Sequence, residues 1–362
     1  MKKFIAHKIS NLLRLPVVGL DISDRTFKYL KLAFDGKIEV EAFGENDIPE
    51  NIIEGGEIKD ESKLTEIFKK WKKNNAQILR SSVVVASLPE EKSFLRLIQL
   101  PKVKSEEVAN AIRWEIEANI PLTPDNLSYD YDVVEPLEGE LAHTDVVITA
   151  FPRSIVESYT NAIKGAGLTL AALELESQAI VRAVVRAGTP KSAKIIIDLG
   201  KTRTSFITFA GSAIIFTSTI KLGGNTFEEN IMRALAVDRE KAKEIKEKMG
   251  LNRSTNKDVF TALTPALSVL VDELKRVIAY YQEHVEHLHG VDQTIDEILL
   301  VGGDANLFGI DTFVASALKI PVRQADPFIN IKKLFDASFP PIPKTELLAF
   351  ATTIGLSLRE IE

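Results

Sequence analysis

The chain has no cysteine in its 362 residues, which excludes disulfides, thiol nucleophiles and thiolate metal sites and fits a reducing cytoplasm. No apolar run approaches the ~20 residues that a membrane-spanning helix needs. No secretory signal is expected either: after Met1-Lys2-Lys3, the triplet Ala6-His7-Lys8 interrupts any apolar core. An excess of basic residues is also missing. At a formal net charge of −6 there is no electrostatic case for nucleic acid. What is present is an ordinary globular composition, 45% hydrophobic and 27% charged, on a chain long enough to bury two lobes with a core each.

Within that composition one turn motif is written three times. A run of apolar β-formers ends in a short turn at Val17-Val18-Gly19-Leu20-Asp21-Ile22-Ser23-Asp24-Arg25-Thr26. It recurs at Ile195-Ile196-Ile197-Asp198-Leu199-Gly200-Lys201-Thr202-Arg203-Thr204 and at Leu299-Leu300-Val301-Gly302-Gly303-Asp304-Ala305. The first two copies continue through a tight hairpin into a second strand, Phe27 to Ala33 and Ser205 to Phe209. Such a turn directs backbone N–H groups toward a phosphate while its Asp faces a metal ion. Two of them predict two similar lobes facing each other across a cleft, with the Gly302-Gly303 turn capping a nucleotide from the second lobe. The candidate nucleotide-binding residues are Asp21, Ser23, Asp24, Arg25, Thr26 and Lys28 from the first unit. The second unit gives Asp198, Gly200, Thr202, Arg203 and Thr204, and the third gives Gly302, Gly303, Asp304 and Ala305. Asp21 and Asp198 would approach Mg2+ through its waters, because that ion dehydrates reluctantly. The plainer reading of each Asp is a turn-former capping N–H groups. Lys28 either reaches phosphate or is an exposed strand lysine.

Periodicity divides the rest. Residues 1–15 have helical spacing (Phe4, Ile5, Ile9, Leu12, Leu13) and only basic charges. They read as an amphipathic helix for an anionic membrane surface, or as a mobile lead-in. Residues 16–92 open lobe one, with a helix over Asp60 to Asn74. Residues 93–176 read as an inserted α+β module with helices at Ser105 to Asn119 and Arg153 to Ala166 and a last strand at Ala171 to Leu175. Residues 177–192 return to lobe one as a helix. Lobe two occupies 193–225 and 298–342, split by a helical subdomain at 226–297 with helices at Thr226 to Ala236, Arg239 to Met249 and Leu267 to Leu288. Residues 343–362 form an apolar final helix expected across the lobe junction. His284, His287 and His289 are accompanied by no carboxylate or Cys motif and read as helix-end residues suited to the dipole rather than as a metal site.

The three turns together resemble the ATPase superfamily of actin, heat-shock chaperones and sugar kinases. Its first phosphate loop matches Asp21 to Thr26, its second Asp198 to Thr204, and its adenosine motif Gly302 to Ala305. Within that superfamily the chain resembles the PilM family of type IV pilus assembly, relatives of FtsA. The stretches that carry this are Phe94-Leu95-Arg96-Leu97-Ile98-Gln99-Leu100-Pro101, Trp114-Glu115-Ile116-Glu117-Ala118-Asn119-Ile120-Pro121-Leu122 and Tyr129-Asp130-Tyr131-Asp132-Val133. Glu174-Leu175-Glu176-Ser177-Gln178-Ala179, Leu222-Gly223-Gly224-Asn225 and Ala325-Asp326-Pro327-Phe328 add to them.

The resemblance implies an α/β, two-lobed actin-like ATPase fold whose inserted α+β subdomain is the one called 1C. It implies ATP and Mg2+ as ligands. It further implies a cytoplasmic scaffold at the inner face of the membrane, which recruits the cytoplasmic N-terminal peptide of a PilN-like inner-membrane protein in a groove between lobe one and the module. Gly223, Gly224 and Asn225 would offer N–H groups to ribose or phosphate, or form a plain helix start. Lys243 and Glu244 lie on the helix that skirts adenine and ribose in this superfamily. Gln178, with Glu176 as second candidate, would orient the attacking water.

Three positions depart from the superfamily pattern. Ser23 stands where Gly is usual. Asp24 replaces a small hydroxyl and is expected to repel phosphate unless Mg2+ or Arg25 compensates. Asp304 replaces a small residue and is expected to cap the following helix. ATP binding with inefficient turnover is the expectation. The rivals are an FtsA-like filament protein, whose kind usually ends in a linker and membrane helix where this chain stops at Glu362, and a small-molecule kinase, which needs an Asp base.

Overall fold

Among the described residues, two five-stranded sheets share one strand order. The computed structural model describes residues 16–34, 38–80, 82–102, 105–120, 123–134, 142–186, 192–254, 256–284, 294–331 and 341–359. The lead-in 1–15, His287 and His289 lie outside them. In lobe one, β1 (Val17–Ile22), β2 (Thr26–Phe34) and β3 (Ile38–Asp47) form an antiparallel meander. β6 (Val83–Leu88) runs parallel to β1, and β10 (Leu170–Leu175) parallel to β6. Lobe two repeats this with β11 (Ala193–Leu199), β12 (Thr204–Ala210) and β13 (Ala213–Ile220), then β14 (Ile295–Val301) and β15 (Val322–Gln324). The central strands are apolar on both faces, as helix-covered sheets require: Val18, Leu20, Ile195, Ile196 and Ile197 are all buried.

In lobe one, α1 (Glu61–Asn74) starts at Asp60, whose side chain accepts from Lys63 N. It buries Leu64, Phe68 and Trp71, and Phe27 meets Phe68 and Trp71 edge-on at 5.2 and 5.5 Å. A short turn, α2 (Ala76–Leu79), follows. Between β1 and β6 also lies a small hairpin of β4 (Ile53–Glu54) and β5 (Glu57–Ile58).

The inserted module is smaller than its sequence pattern suggests. Its sheet holds β7 (Phe94–Pro101), β8 (Leu127–Val134) and β9 (His143–Pro152) in the order β7-β9-β8. On it lies α3 (Ser105–Asn119), through Val108, Ile112 and Ile116 against Leu100, Leu127, Val146 and Ile148. The expected last strand instead joins the lobe-one sheet as β10. The preceding α4 (Arg153–Gly165) buries Ile155, Tyr159, Ala162 and Ile163 in the lobe-one core beside α1. A strand parallel to β6 needs a crossover helix, and α4 is that helix.

From β10 the chain enters α5 (Glu176–Val184). The helical subdomain comprises α6 (Gly224–Leu235), α7 (Arg239–Met249) and α8 (Lys257–His284). Helix α8 begins well before the expected Leu267 and carries Pro265 inside it. Burial of Val259 and Leu263 outweighs the hydrogen bond that Pro265 removes. After α9 (Ile310–Leu318), a 3-10 turn at Leu347–Phe350 leads into α10 (Ala351–Ser357). Leu348 O accepts from Gly302 N of lobe two, while Ser357 Oγ accepts from Gly19 N of lobe one. The C-terminal element thus bridges the lobes, although as a shorter helix than the pattern predicts.

Candidate functional site

The three turns converge at the mouth between the lobes. The first closes on itself: Ser23 N and Oγ both donate to Thr26 O at 2.9 Å. Ser23 is not among the residues with positive φ, so it fills the glycine position without strain. The second turn is held by its surroundings. Gly200 N donates to Arg203 O at 3.0 Å, and Thr204 Oγ1 donates to Leu222 O at 2.6 Å. In the third, Gly302 has φ +88, and a Cβ there would lie 2.4 Å from Leu199 O and 2.5 Å from Asp198 Oδ1. Only glycine allows that turn to close on the second. Among the described residues, the amides of Asp24, Arg25, Lys201, Thr202, Arg203, Gly303 and Asp304 donate to no protein acceptor.

Behind these amides lie carboxylates from both lobes. Asp21 ends β1, accepts from Ser87 Oγ at 3.0 Å and stands opposite Lys28 in the strand register. Burial raises its pKa against the pull of Lys28, Ser87 and Arg203. Asp198 ends β11. Burial, then the charge of Asp21, push its carboxyl up to about 7. Glu176, at the start of α5, is raised well above the usual range by burial, then by Asp21 and Asp198. Burial also raises Glu90. These shared perturbers set four acidic groups in one electrostatic field at the end of the cleft. Among the described residues no group of three or more acidic, His or Cys side chains could hold a metal ion. Two carboxylates on facing strands are instead the donor set that suits Mg2+ held largely by water and phosphate.

Several expected contributions are redirected. Asp24 does not face the cleft as a bare charge: its oxygens accept from Gly55 N at 3.0 Å and Gly56 N at 2.9 Å, and Arg203 Nη2 donates to it at 2.9 Å. Arg25 does not compensate it but pairs with Glu50 at 3.2 Å. The amides of Gly224 and Asn225 are already donated to Gly200 O and Lys201 O, so they brace the second turn instead of meeting a ligand. Gly223 N-caps α6 beside them. The Thr204 side chain is buried in its bond to Leu222.

On α7, Lys243 is exposed and Glu244 half-exposed at the surface, where Lys241 and Lys248 hold the Glu244 carboxyl down at about 2. The inward residue is Lys246, which bonds Glu228 at 2.8 Å and Asp304 at 2.7 Å. Asp304 therefore pairs with a lysine and caps no helix. Lys246 follows Ala242 and Ile245 on the buried stripe, and that i, i+3, i+4 pattern was readable in the sequence. Ala305 is buried, Thr202 partly buried. Gln178 is partly buried about 200° around α5 from Glu176, so the two do not share a face.

The sequence model of the family described as type IV pilus assembly protein PilM matches residues 19–361. The chain belongs to the PilM family. Among solved structures, this PilM family member is similar to one described as the PilM–PilN type IV pilus biogenesis complex. The TM-score is 0.79 at 24% identity, over 96% of this chain and 99% of that chain. It is also similar to the ethanolamine utilization protein EutJ from Carboxydothermus hydrogenoformans, with TM-score 0.53 and 16% identity over 94% of this chain and 88% of that one. MreB5 of Spiroplasma citri bound to ADP gives 0.56 and 13% over 94% of each. With the duplicated sheets, these likenesses establish a two-lobed actin-like fold. Among the described residues no helix of this PilM family member is long and apolar enough to cross a membrane.

Proposed function

We propose that this PilM family member is a nucleotide-binding scaffold that takes ATP with Mg2+ between the three turns. We further propose that it holds the cytoplasmic N-terminal peptide of a PilN-like inner-membrane protein and thereby works at the inner face of the membrane. The observation that carries the nucleotide half is the meeting of Asp21 and Asp198 with acceptor-free amides from all three turns. Free amides suit phosphate oxygens, and the paired carboxylates suit a hydrated divalent ion. The ADP-bound description of MreB5 supports the same ligand class.

Turnover is slow in this reading. Burial, then the charges of Asp21 and Asp198, raise the Glu176 carboxyl well above its usual range and so disfavour the carboxylate form that a base needs. Gln178 remains the candidate for orienting water.

For the peptide, β8 is an edge strand of the module, so its outer backbone groups are available to an added strand. Tyr129 and Val133 on β8 and Trp114 on α3 are exposed, Trp114 by 73%, which argues against a core-packing role for them. Large exposed aromatics are typical anchors. The likeness to a PilM–PilN complex supports the partner class.

Calorimetry with a nonhydrolysable ATP analogue and Mg2+ tests the first half, and absence of binding overturns it. Phosphate release should stay far below the enzyme median of ~10 s⁻¹. Trp114→Ala combined with Tyr129→Ala should weaken capture of a PilN-like tail peptide about tenfold, or ~1.4 kcal/mol, without altering nucleotide affinity. Unchanged peptide affinity removes these residues from the groove.

A further inference from the structure

Arg203 belongs to the second turn, yet its guanidinium enters lobe one. Nη2 donates to Asp24 Oδ1 at 2.9 Å, and Nη1 pairs with Glu91. The two carboxylates are anchored very differently. Asp24 also accepts from Gly55 N and Gly56 N in the β4–β5 turn. Gly56 O in turn accepts from Tyr159 of α4 at 3.1 Å. Glu91 has no such support: its Oε2 is buried without a hydrogen bond. Glu91 also sits in the 3-10 turn Glu90–Lys92, immediately before β7 enters the inserted module. Its neighbour Glu90 accepts from Ser177 N at 3.1 Å, where the chain returns from β10 into α5. One lobe-two side chain therefore bears on the segment through which the module leaves and rejoins lobe one.

The same turn presents the amides of Lys201, Thr202 and Arg203 without protein acceptors. A phosphate on those amides carries more charge than either carboxylate and suits a guanidinium fork. We propose that Arg203 is a positioning residue that exchanges partners. Asp24 and Glu91 hold it in the nucleotide-free chain, and a nucleotide phosphate takes it from them. When it leaves, Asp24 keeps its two amides, whereas the half-buried Glu91, whose Oε2 is already shut off from water without a hydrogen bond, loses its cation and moves toward solvent. The displacement is delivered at residues 90–93 and passes into β7, so nucleotide occupancy changes the seating of the module. This inference rests on the nucleotide reading above and adds its regulation.

The test uses the full chain with the ATP analogue AMPPNP and Mg2+, followed by calorimetry and by hydrogen exchange over residues 90–101. Wild type should gain exchange there when nucleotide binds. Glu91→Gln removes a competing charge, so it should bind the analogue roughly fivefold tighter and lose the exchange response. Arg203→Gln should bind roughly tenfold weaker. If that variant does not fold, Arg203→Lys should weaken binding in the same direction by less. Opposite signs for Glu91→Gln and Arg203→Gln are the signature, because a purely structural pair would weaken binding together. Equal or parallel changes, or a nucleotide response at 90–101 that persists in Glu91→Gln, overturn the exchange while leaving the nucleotide reading intact. No binding by wild type overturns both.

Discussion

The turns after β1 and β11 share a strand–turn–strand design and an aspartate at the strand end, but they are stabilised by different means. Turn one is tied mainly by near neighbours: Ser23 closes onto Thr26, and Asp24 reaches the adjoining β4–β5 turn besides accepting from Arg203 of turn two. Turn two is braced from outside. The α6 start donates Gly224 N and Asn225 N to it, Thr204 bonds Leu222, and Gly302 is packed under Leu199 O. Behind Gly302, Asp304 is fixed by Lys246, which is fixed by Glu228. The same local signature thus yields one turn able to adjust and one built into its lobe. A ligand bridging them would find a rigid wall on lobe two and a movable one on lobe one.

If that contrast is right, the largest losses lie behind turn two. Lys246→Ala strips Asp304 of its bonded cation, leaves the buried Glu228 only the more distant Arg239 at 3.7 Å, and should cost ~3–5 kcal/mol, read from the denaturant midpoint. A loss below ~1 kcal/mol would mean the brace is dispensable. Gly302→Val combines a positive φ with overlap on Leu199 O and should cost ~3 kcal/mol, whereas Gly303→Ala, whose nearest neighbour would be Ala349 Cβ at 3.8 Å, should stay within ~0.5 kcal/mol. Similar melting temperatures for the two variants would erase the distinction between adjacent glycines. Next come paired hydroxyl deletions. Thr204→Val leaves Leu222 O buried and unpaired, at ~1–2 kcal/mol, while Ser23→Gly in turn one should cost less than half of that. The reverse order in urea melts would show turn one to be the more firmly held.

The smallest effect joins the two turns through pH. Asp198 is raised from 3.8 to about 7 in the folded chain, so the folded state holds that proton more tightly than the unfolded state. Its contribution is full below the unfolded value near 4 and is lost as pH rises through 7. Asp21, Glu90 and Glu176 shift in the same direction. The nucleotide-free protein should therefore melt ~2 °C or more higher at pH 6 than at pH 8, and Asp198→Asn should reduce that difference. A higher melting point at pH 8 would contradict the buried acid cluster.

Features written within a few residues were open to reading before any fold was known. The two hairpins, their strand-end aspartates and the Gly302-Gly303 turn were legible because strand period and turn chemistry are local, and their recurrence announced the duplicated sheets. Features that depend on distant partners emerged only once the chain was folded. Leu170–Leu175 belongs to lobe one because β6 offers a parallel edge there, and Lys257–Leu267 is helical because its apolar side chains are buried despite Pro265. Asp24, read alone, is a charge near a phosphate. Only the folded chain brings Gly55, Gly56 and Arg203 around it, since a charge's effect is set by whatever the fold packs within hydrogen-bond reach.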